Sequence, residues 1–582
     1  MRIPYSAALL VPRLPNRWDL LAMPLVFGVL FALAWSARQM AVPYQFGTPL
    51  PLSLDLVALP YYALRTTLRM VLALGLSLAF TLAYGNLAAK SRRAEQIMIP
   101  VLDVLQSVPI LGFLSITVLW FVQLFPGRLL GPELAAIFAI FTSQAWNMTF
   151  SFYYSQKLLP SELRQVADLF RLGPWRRFWR LEVPHAVPGL VWNTMMSVSG
   201  GWFFVVAAEA ITVADRTVLL PGVGSYIALA IQKRNLAAIG WAVLTMLVVI
   251  VLYDQLAFRP LVAWADKFRL ELSRAEEAPT SWFLNVLCRT RWLHALARLP
   301  ARSGTWLTLR LARWHGAPHW QPSLPELARP RLPSGHWLER LWTPLLALAA
   351  AASIVALAHF VLEEAPLAEV GAVFLYGFCT LLRVAVLTLL AALIWVPVGV
   401  WIGLRPRLAA RVQPVTLFLS AFPANLLFPL AVIGIDRAHL NPEIWTSPLM
   451  ILGTQWYILF NVIGGAAALP NDLREVAVSL GLRGWALWQR VLLPAVFPAF
   501  LTGGLTASGG AWNASVVAEV VSWGDTTLRA TGIGAYIAQH TAHGDQARVV
   551  LGIAVMSLYV VLINRLFWKR LYDYAQRRLA LD

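Results

Sequence analysis

Along the chain, apolar runs of about twenty residues alternate with short polar or basic stretches. Twenty helical residues rise roughly 30 Å, the thickness of a bilayer's hydrocarbon core, so each run predicts a membrane span. In the first part the runs lie near residues 20–37, 66–88, 98–125, 132–155, 187–214 and 236–258. In the second they lie near 342–362, 372–403, 413–436, 443–467, 496–522 and 545–568. The predicted fold class is an all-α integral membrane protein of about 12 transmembrane helices, in two tandem six-helix repeats. The runs at 98–125 and 372–403 are long enough to tilt or extend beyond the bilayer. The first run is short enough for a signal peptide, but its counterpart in the second part marks it as a retained span.

The polar stretches carry a second regularity. Leu159–Pro188 laid without gaps over Leu469–Pro498 repeats the Leu-Pro pair, Leu163/Leu473, Arg164/Arg474, Val166/Val476, Ala167/Ala477, Leu172/Leu482, Trp175/Trp485, Arg180/Arg490, Pro184/Pro494 and Pro188/Pro498. The same offset of 310 pairs Ala208-Glu209 with Ala518-Glu519, and GVGSYIA at Gly222–Ala228 with GIGAYIA at Gly532–Ala538. Upstream the offset becomes 314, pairing Thr66-x-Leu68-Arg69 with Thr380-x-Leu382-Arg383. The chain is a tandem duplication. It divides into a first repeat (1–264, elbow 159–188), a join (265–341) and a second repeat (342–582, elbow 469–498). The join is rich in Arg and Pro, and its first part, SWFLNVLCRTRWLHALARL, has the Trp, Leu and Arg mixture of an interfacial helix on the inner membrane surface.

Composition agrees with this reading. Hydrophobic residues make up 59% and charged residues 13% of the 582, with mean hydropathy +0.64, against about a quarter charged in soluble domains. The net charge of +18 sits between spans and in the join, so it reads as orientation and not as a nucleic-acid surface. Arg2, Arg13 and Arg17 precede the first span, Lys90, Arg92 and Arg93 follow the second, and Arg171, Arg176, Arg177 and Arg180 lie in the first elbow. The positive-inside rule places these, both elbows and both termini in the cytoplasm. Cys288 and Cys379 allow no disulfide framework or zinc spacing, and His185 has no second ligand at helical spacing, so no metal site is expected.

Within the second elbow, Asn471 is placed to cap a helix with Leu473, Val476, Ala477 and Leu480 on one face and Asp472, Arg474 and Glu475 on the other. Gly481 is placed to end it in the left-handed conformation. A short second helix over Trp485–Val491 then leads through Leu493-Pro494 into the next span. The product is a compact knob with an apolar stripe, suited to a groove on a partner. Two knobs imply a partner with two sockets.

EVAVSLGLRGWALWQRVLLP resembles the EAA motif of the membrane subunits of ABC importers, through Glu475, Ala477, Gly481, Leu482 and Leu493-Pro494. GGAWNASVVAEVVSWGDTTLRATGIGAYIA is similar to the nitrate/sulfonate/taurine-type permeases, and the whole resembles the duplicated permease component of anion ABC systems. The first copy departs from the pattern: Gln165 stands at the Glu position and Arg171 at the Gly position, with Ala167 and Pro184 kept and Gly173-Pro174 as a displaced bend. The resemblance implies a type I importer permease in a bacterial inner membrane, served by a cytoplasmic ABC ATPase dimer and a periplasmic or lipid-anchored substrate-binding protein, with lipid around it. ATP and Mg would belong to the ATPase. No G-x-x-x-x-G-K-[ST] loop occurs in this chain, so it is not expected to be an enzyme or to hold a cofactor.

Arg69 and Arg383 open the second span of each repeat, and Glu209 and Glu519 end the fifth. Charges there need partners or water. They are expected to pair as Arg69–Glu209 and Arg383–Glu519, or with partners exchanged across the pseudo-twofold axis. Such pairs either lock helices together or form an outer gate that frees Arg for an anion. The alternative function is a secondary transporter using Glu209 and Glu519 as ion-coupling groups; a membrane-embedded assembly protein is a third. Ser199–Gly201 and Ser508–Gly510 in the fifth spans suit close helix packing or a central path.

Overall fold

The computed structural model describes residues 16–45, 47–48, 50–170, 172–213, 216–268, 281–290, 336–469 and 471–578. The first repeat contains α1 (Arg17–Arg38), α2 (Leu59–Lys90), α3 (Arg92–Ser107), α4 (Ile110–Leu124), α5 (Leu130–Lys157), α6 (Ser161–Leu169) and α7 (Pro174–Glu209). A hairpin of β1 (Ala210–Val213) and β2 (Arg216–Leu219), then α8 (Val223–Gln232) and α9 (Leu236–Phe268), completes it. The join contributes α10 (Trp282–Arg289). The second repeat runs through α11 (His336–Glu364), α12 (Leu367–Gly403), α13 (Pro406–Ala421), α14 (Ala424–Arg437), α15 (Pro442–Ile451), α16 (Gln455–Ala467), α17 (Asn471–Ser479) and α18 (Gly484–Ala518). Its hairpin is β3 (Val520–Trp523) with β4 (Thr526–Arg529), followed by α19 (Ile533–His543) and α20 (Gln546–Arg578).

Contacts divide the chain into two compact units, one of residues 1–32 with 280–363, the other of 33–279 with 364–582. In the first unit, Trp18 lies beneath the guanidiniums of Arg17 and Arg289, and Asn16 Nδ2 donates to the Arg289 carbonyl, tying α1 to α10. α10 covers only the start of the expected interfacial helix; its continuation, Arg2, Arg13, Pro470 and Arg171 lie outside the described residues.

In the second unit, α2, α5 and α7 form the centre of the first repeat, and α12, α16 and α18 that of the second. Small residues let these helices approach. A Cβ on Gly399 would stand 2.8 Å from Val462, one on Gly403 2.6 Å from Ala466, and one on Gly503 2.7 Å from the Tyr457 carbonyl. That is how helices associate where lipid supplies no hydrophobic drive. The repeats also interlock. α4 packs on α18, α19 and α20, α13 packs on α7, and Ala421 and Leu426 join the first repeat's apolar core.

Among the described residues, seven helices are long and apolar enough to cross a membrane, or up to ten if each bent pair is one span. The bent pairs correct three expected spans. The run read at 98–125 is α3 and α4, turning by 92° before Ile110; the run at 413–436 is α13 and α14, turning by 74°; the run at 443–467 is α15 and α16, turning by 42°. Pro109 and Pro423 sit at the first two breaks in extended backbone, since a proline cannot bond back to the preceding turn. The remaining two expected segments, α5 and α11, are helical but outside that set. The fifth spans end in hairpins, not at 214 or 522 as read from hydropathy.

A further correction concerns the elbows. The expected separate helix over Trp485–Val491 does not exist: α18 runs unbroken from Gly484 to Ala518, as α7 does from Pro174 to Glu209. One π turn in each, Phe178–Glu182 and Trp488–Leu492, immediately precedes the prolines. The widened turn accommodates the ring of Pro184 or Pro494 without a break. Matching π turns at Asp254–Phe258 and Asn564–Trp568 carry the duplication into the last helices.

Candidate functional site

Three features of the second unit position polar chemistry: two charge clusters, a cavity between the repeats, and the elbows.

At the hairpin end of the first repeat, α2 contributes Arg65, Thr66 and Arg69, α5 contributes Glu133, and α7 ends at Glu209, all buried. Arg69 Nε and Nη2 donate to the two Glu133 oxygens at 2.7 and 2.8 Å, while Nη1 donates to Glu209 Oε1 at 2.6 Å. Arg65 also bonds Glu133 and donates to the Ser36 carbonyl. Thr66 Oγ1 donates to Glu209 Oε1, and the Gly224 amide to Oε2 at 2.7 Å. The carboxylate thus sits against the N-terminus of α8, where backbone amides face anions.

The GVG and GIG sequences follow from this. A Cβ on Gly222 would overlap the Glu209 carboxylate, and one on Gly532 would overlap that of Glu519. In the second repeat Arg383 Nη1 meets Glu519 Oε1 at 3.3 Å and Nη2 bonds Glu443; Thr380 Oγ1 and the Ala535 amide complete Glu519 at 2.7 and 3.0 Å. The structure therefore brings Arg69 to Glu209 and Arg383 to Glu519 within each repeat, with no exchange between them. The third members, Glu133 and Glu443, were missed by inspection of the spans. A signal existed: Pro132-Glu133 and Pro442-Glu443 stand at the offset of 310.

None of these charged residues lines the central cavity, which encloses about 760 Å³ between the repeats. Residues of α3, α5, α7, α16, α18 and α20 surround it. Phe203 and Trp512 lie toward its hairpin end, and exposed Arg565 and Lys569 toward its elbow end. Trp192 stacks on Phe460 across the repeats, with centroids 5.4 Å apart. Both readings of the serine–glycine runs hold in part. Ser199, Gly200, Gly509 and Gly510 border the cavity, whereas a Cβ on Gly201 would stand 2.9 Å from Gln144 on α5.

In the elbows, Ala167 and Ala477 turn inward and are buried. The amides of Leu172 and Leu482 bond back to the carbonyls of Ala167 and Ala477 at 3.0 and 2.9 Å. The expected apolar stripe splits: Leu473 is half-buried, but Val476 and Leu480 are 52% and 69% exposed. Val166, Phe170 and Trp175 in the first elbow, and Val476, Leu480 and Trp485 in the second, present the same outward apolar set. α17 begins at Asn471 itself, so that residue starts the helix and does not precede it as a cap. Glu475 and Gln165 are exposed on their helices. Gly481 has φ +66° and Gly484 φ +55°, whereas Gly173 is extended and followed by Pro174. Pro184 and Pro494 lie where each elbow passes into its long helix. His185 is half-buried, and no metal-binding group of His, Cys, Asp or Glu occurs among the described residues.

The signature described as "Binding-protein-dependent transport system inner membrane component" matches residues 72–258 and again 395–580, well over half of the chain. The chain belongs to this family. Each match runs from within the second helix of a repeat, α2 or α12, to its last helix. Among curated relatives, the nitrate import permease protein NrtB of Leptolyngbya laminosa is 31% identical over 188 residues, 32% of this chain and 63% of the relative. The bicarbonate transport system permease protein CmpB of Synechococcus elongatus is 28% identical over 192 residues, 33% of this chain and 66% of the relative. A probable ABC transporter permease protein, BMEII0107 of Brucella melitensis, is 27% identical over 205 residues, 35% of this chain and 76% of the relative. The chain thus spans a little under two thirds of the first two relatives.

Proposed function

We propose that the chain is the translocation component of an ATP-driven importer for a small anion, both repeats together enclosing one path. The observation that carries this reading is the pair of matched outward apolar faces, each on an elbow whose second part, from Pro174 or Gly484, runs unbroken into a cavity-lining helix. An exposed tryptophan with two apolar neighbours, present in two equivalent copies, suits two sockets on a cytoplasmic ABC ATPase dimer. The partner would hold ATP and Mg and drive the cavity between inward- and outward-open states, while a periplasmic or lipid-anchored binding protein would deliver substrate. The names of the nitrate and bicarbonate permeases support an anion. The setting is an inner membrane, with elbows and termini on the cytoplasmic side.

The secondary-transporter reading gains nothing from the geometry. Glu209 and Glu519 are engaged by Arg, Thr and backbone amides and stand apart from the cavity. The same geometry favours the helix-locking role for Arg69, Glu209, Arg383 and Glu519 over the gate. Purification in mild detergent from native membranes tests the proposal. The chain is expected to bring an ATPase with it, and Trp485→Ala together with Leu480→Ala should release that ATPase while the chain stays folded. An intact chain arriving without an ATPase, under conditions that preserve a known importer, would end the reading.

A further inference from the structure

Midway along the cavity three hydroxyls have nothing within the protein to bond. Ser197 on α7 is buried, and its Oγ has no hydrogen-bond partner. Thr454, at the bend between α15 and α16, has a buried Oγ1 in the same state. Tyr457, one turn further on, is buried and its phenol makes no hydrogen bond among the described residues. All three line the cavity. Leaving a buried hydroxyl unsatisfied is costly, and for Ser197 and Thr454 a ligand or water in the cavity would relieve it.

The neighbouring amides are already committed. Asn193 Nδ2 donates to Ser151 Oγ and the Gly189 carbonyl, and Asn461 Nδ2 to the Tyr457 carbonyl. Asn513 uses both ends: Nδ2 on the Gly509 carbonyl and Oδ1 on the Ile110 amide, which steadies the α3–α4 bend from the other repeat. The glycines make room for the hydroxyls. A Cβ on Gly200 would stand 3.1 Å from the Tyr457 hydroxyl, and one on Gly510 would overlap Thr454.

We propose that Ser197, Thr454 and Tyr457 form a small-oxyanion site midway along the path, one residue coming from the first repeat and two from the second. This rests on the anion-importer reading and names its subsite. Hydroxyl donors hold an oxyanion without fixed positive charge, so occupancy stays weak enough for onward passage. Arg565 and Lys569 at the elbow end would draw the anion out, with Asp103 and Asp573, also on the lining, limiting its retention there.

The test uses the full chain with its ATPase and binding protein in membrane vesicles, in a background with Cys288→Ser and Cys379→Ser. Ser197→Cys is introduced, and its labelling rate by a negatively charged methanethiosulfonate is followed. Millimolar sodium nitrate or bicarbonate should slow labelling at least threefold at constant ionic strength. Tyr457→Phe and, separately, Thr454→Val should remove that protection while the complex still purifies intact. If sodium against choline protects and the anions do not, the site is a cation site and the proposal fails. If neither anion protects although labelled nitrate or bicarbonate is taken up, the subsite is wrong and the importer reading stands. If neither anion is taken up or protects, the anion reading falls and takes the subsite with it. Absence of labelling would show that Ser197 does not face the path, which also overturns the proposal.

Discussion

The first repeat's cluster holds two guanidiniums and two carboxylates, all buried; the second holds one guanidinium and two carboxylates. The difference traces to one position. Cys379 stands where the offset of 314 places Arg65. Side-chain exposure follows the charge balance: it is 14% for Arg383 and 44% for Glu443, where Arg69 and Glu133 have none. A buried cluster must be close to neutral, because an uncompensated charge in a low dielectric is costly. An unbalanced one remains open to water. Duplication has kept the latch between the fifth helix and the Gly-x-Gly turn in both repeats and the complete charge network in only one.

Substituting the second carboxylate, Glu133 or Glu443, should give the largest difference between repeats. Glu133→Gln leaves Arg65 with no carboxylate and Arg69 with Glu209 alone, and is expected to cost about 3–5 kcal/mol; Glu443→Gln, half open to solvent, should cost about 1 kcal/mol or less. Thermal unfolding of the purified chain in detergent would show it, and equal losses would break the comparison. The latch should behave alike in both repeats. Gly222→Ala and Gly532→Ala each force a methyl into a carboxylate, at a cost of about 1–3 kcal/mol. A twofold disparity between them in the same assay would mean the latches are not equivalent.

The elbows should differ again, on a smaller scale. A methyl at Gly481 meets nothing, but its left-handed backbone makes Gly481→Ala cost about 1–2 kcal/mol. Gly173→Ala, extended and equally uncrowded, should be close to neutral. Hydrogen exchange over residues 471–483 should accelerate roughly 5- to 30-fold in the first variant, with no change over 161–177 in the second. Least affected should be the bond between repeats from Arg234 to Asp525, at 2.7 Å and largely exposed. Arg234→Ala is expected to leave the unfolding midpoint unchanged, and a clear drop would reveal an inter-repeat clasp that exposure hides.

Much of this was legible from spacing. The offset of 310 located both elbows, both terminal glutamates and both Gly-x-Gly turns, because each depends on residue identity at a fixed place. Glu133 and Glu443 obeyed the same offset but lay inside helices already read as spans, so their charge was absorbed into a hydropathy average. The bends at Pro109 and Pro423 were hidden in the same way, since an apolar run gives no hint that its helix turns aside. Continuity through Pro184 and Pro494 ran against propensity: proline signals a break, and only a widened turn, invisible to pattern reading, cancels it. The hairpins were concealed because Ile211, Val213, Val520 and Val521 are as apolar as the spans they follow.

An unbroken helix of 36 residues from Pro174 to Glu209 is a crank about 54 Å long, at 1.5 Å per residue. Trp175 sits at one end and the latched carboxylate at the other. Pivoting the knob through about 5° would sweep the far end by about 5 Å over that length, more than the reach of any hydrogen bond there. The α8 turn must then travel with the crank or let go of it, unless the π turn at Phe178–Glu182 and Pro188 bend enough to absorb the motion.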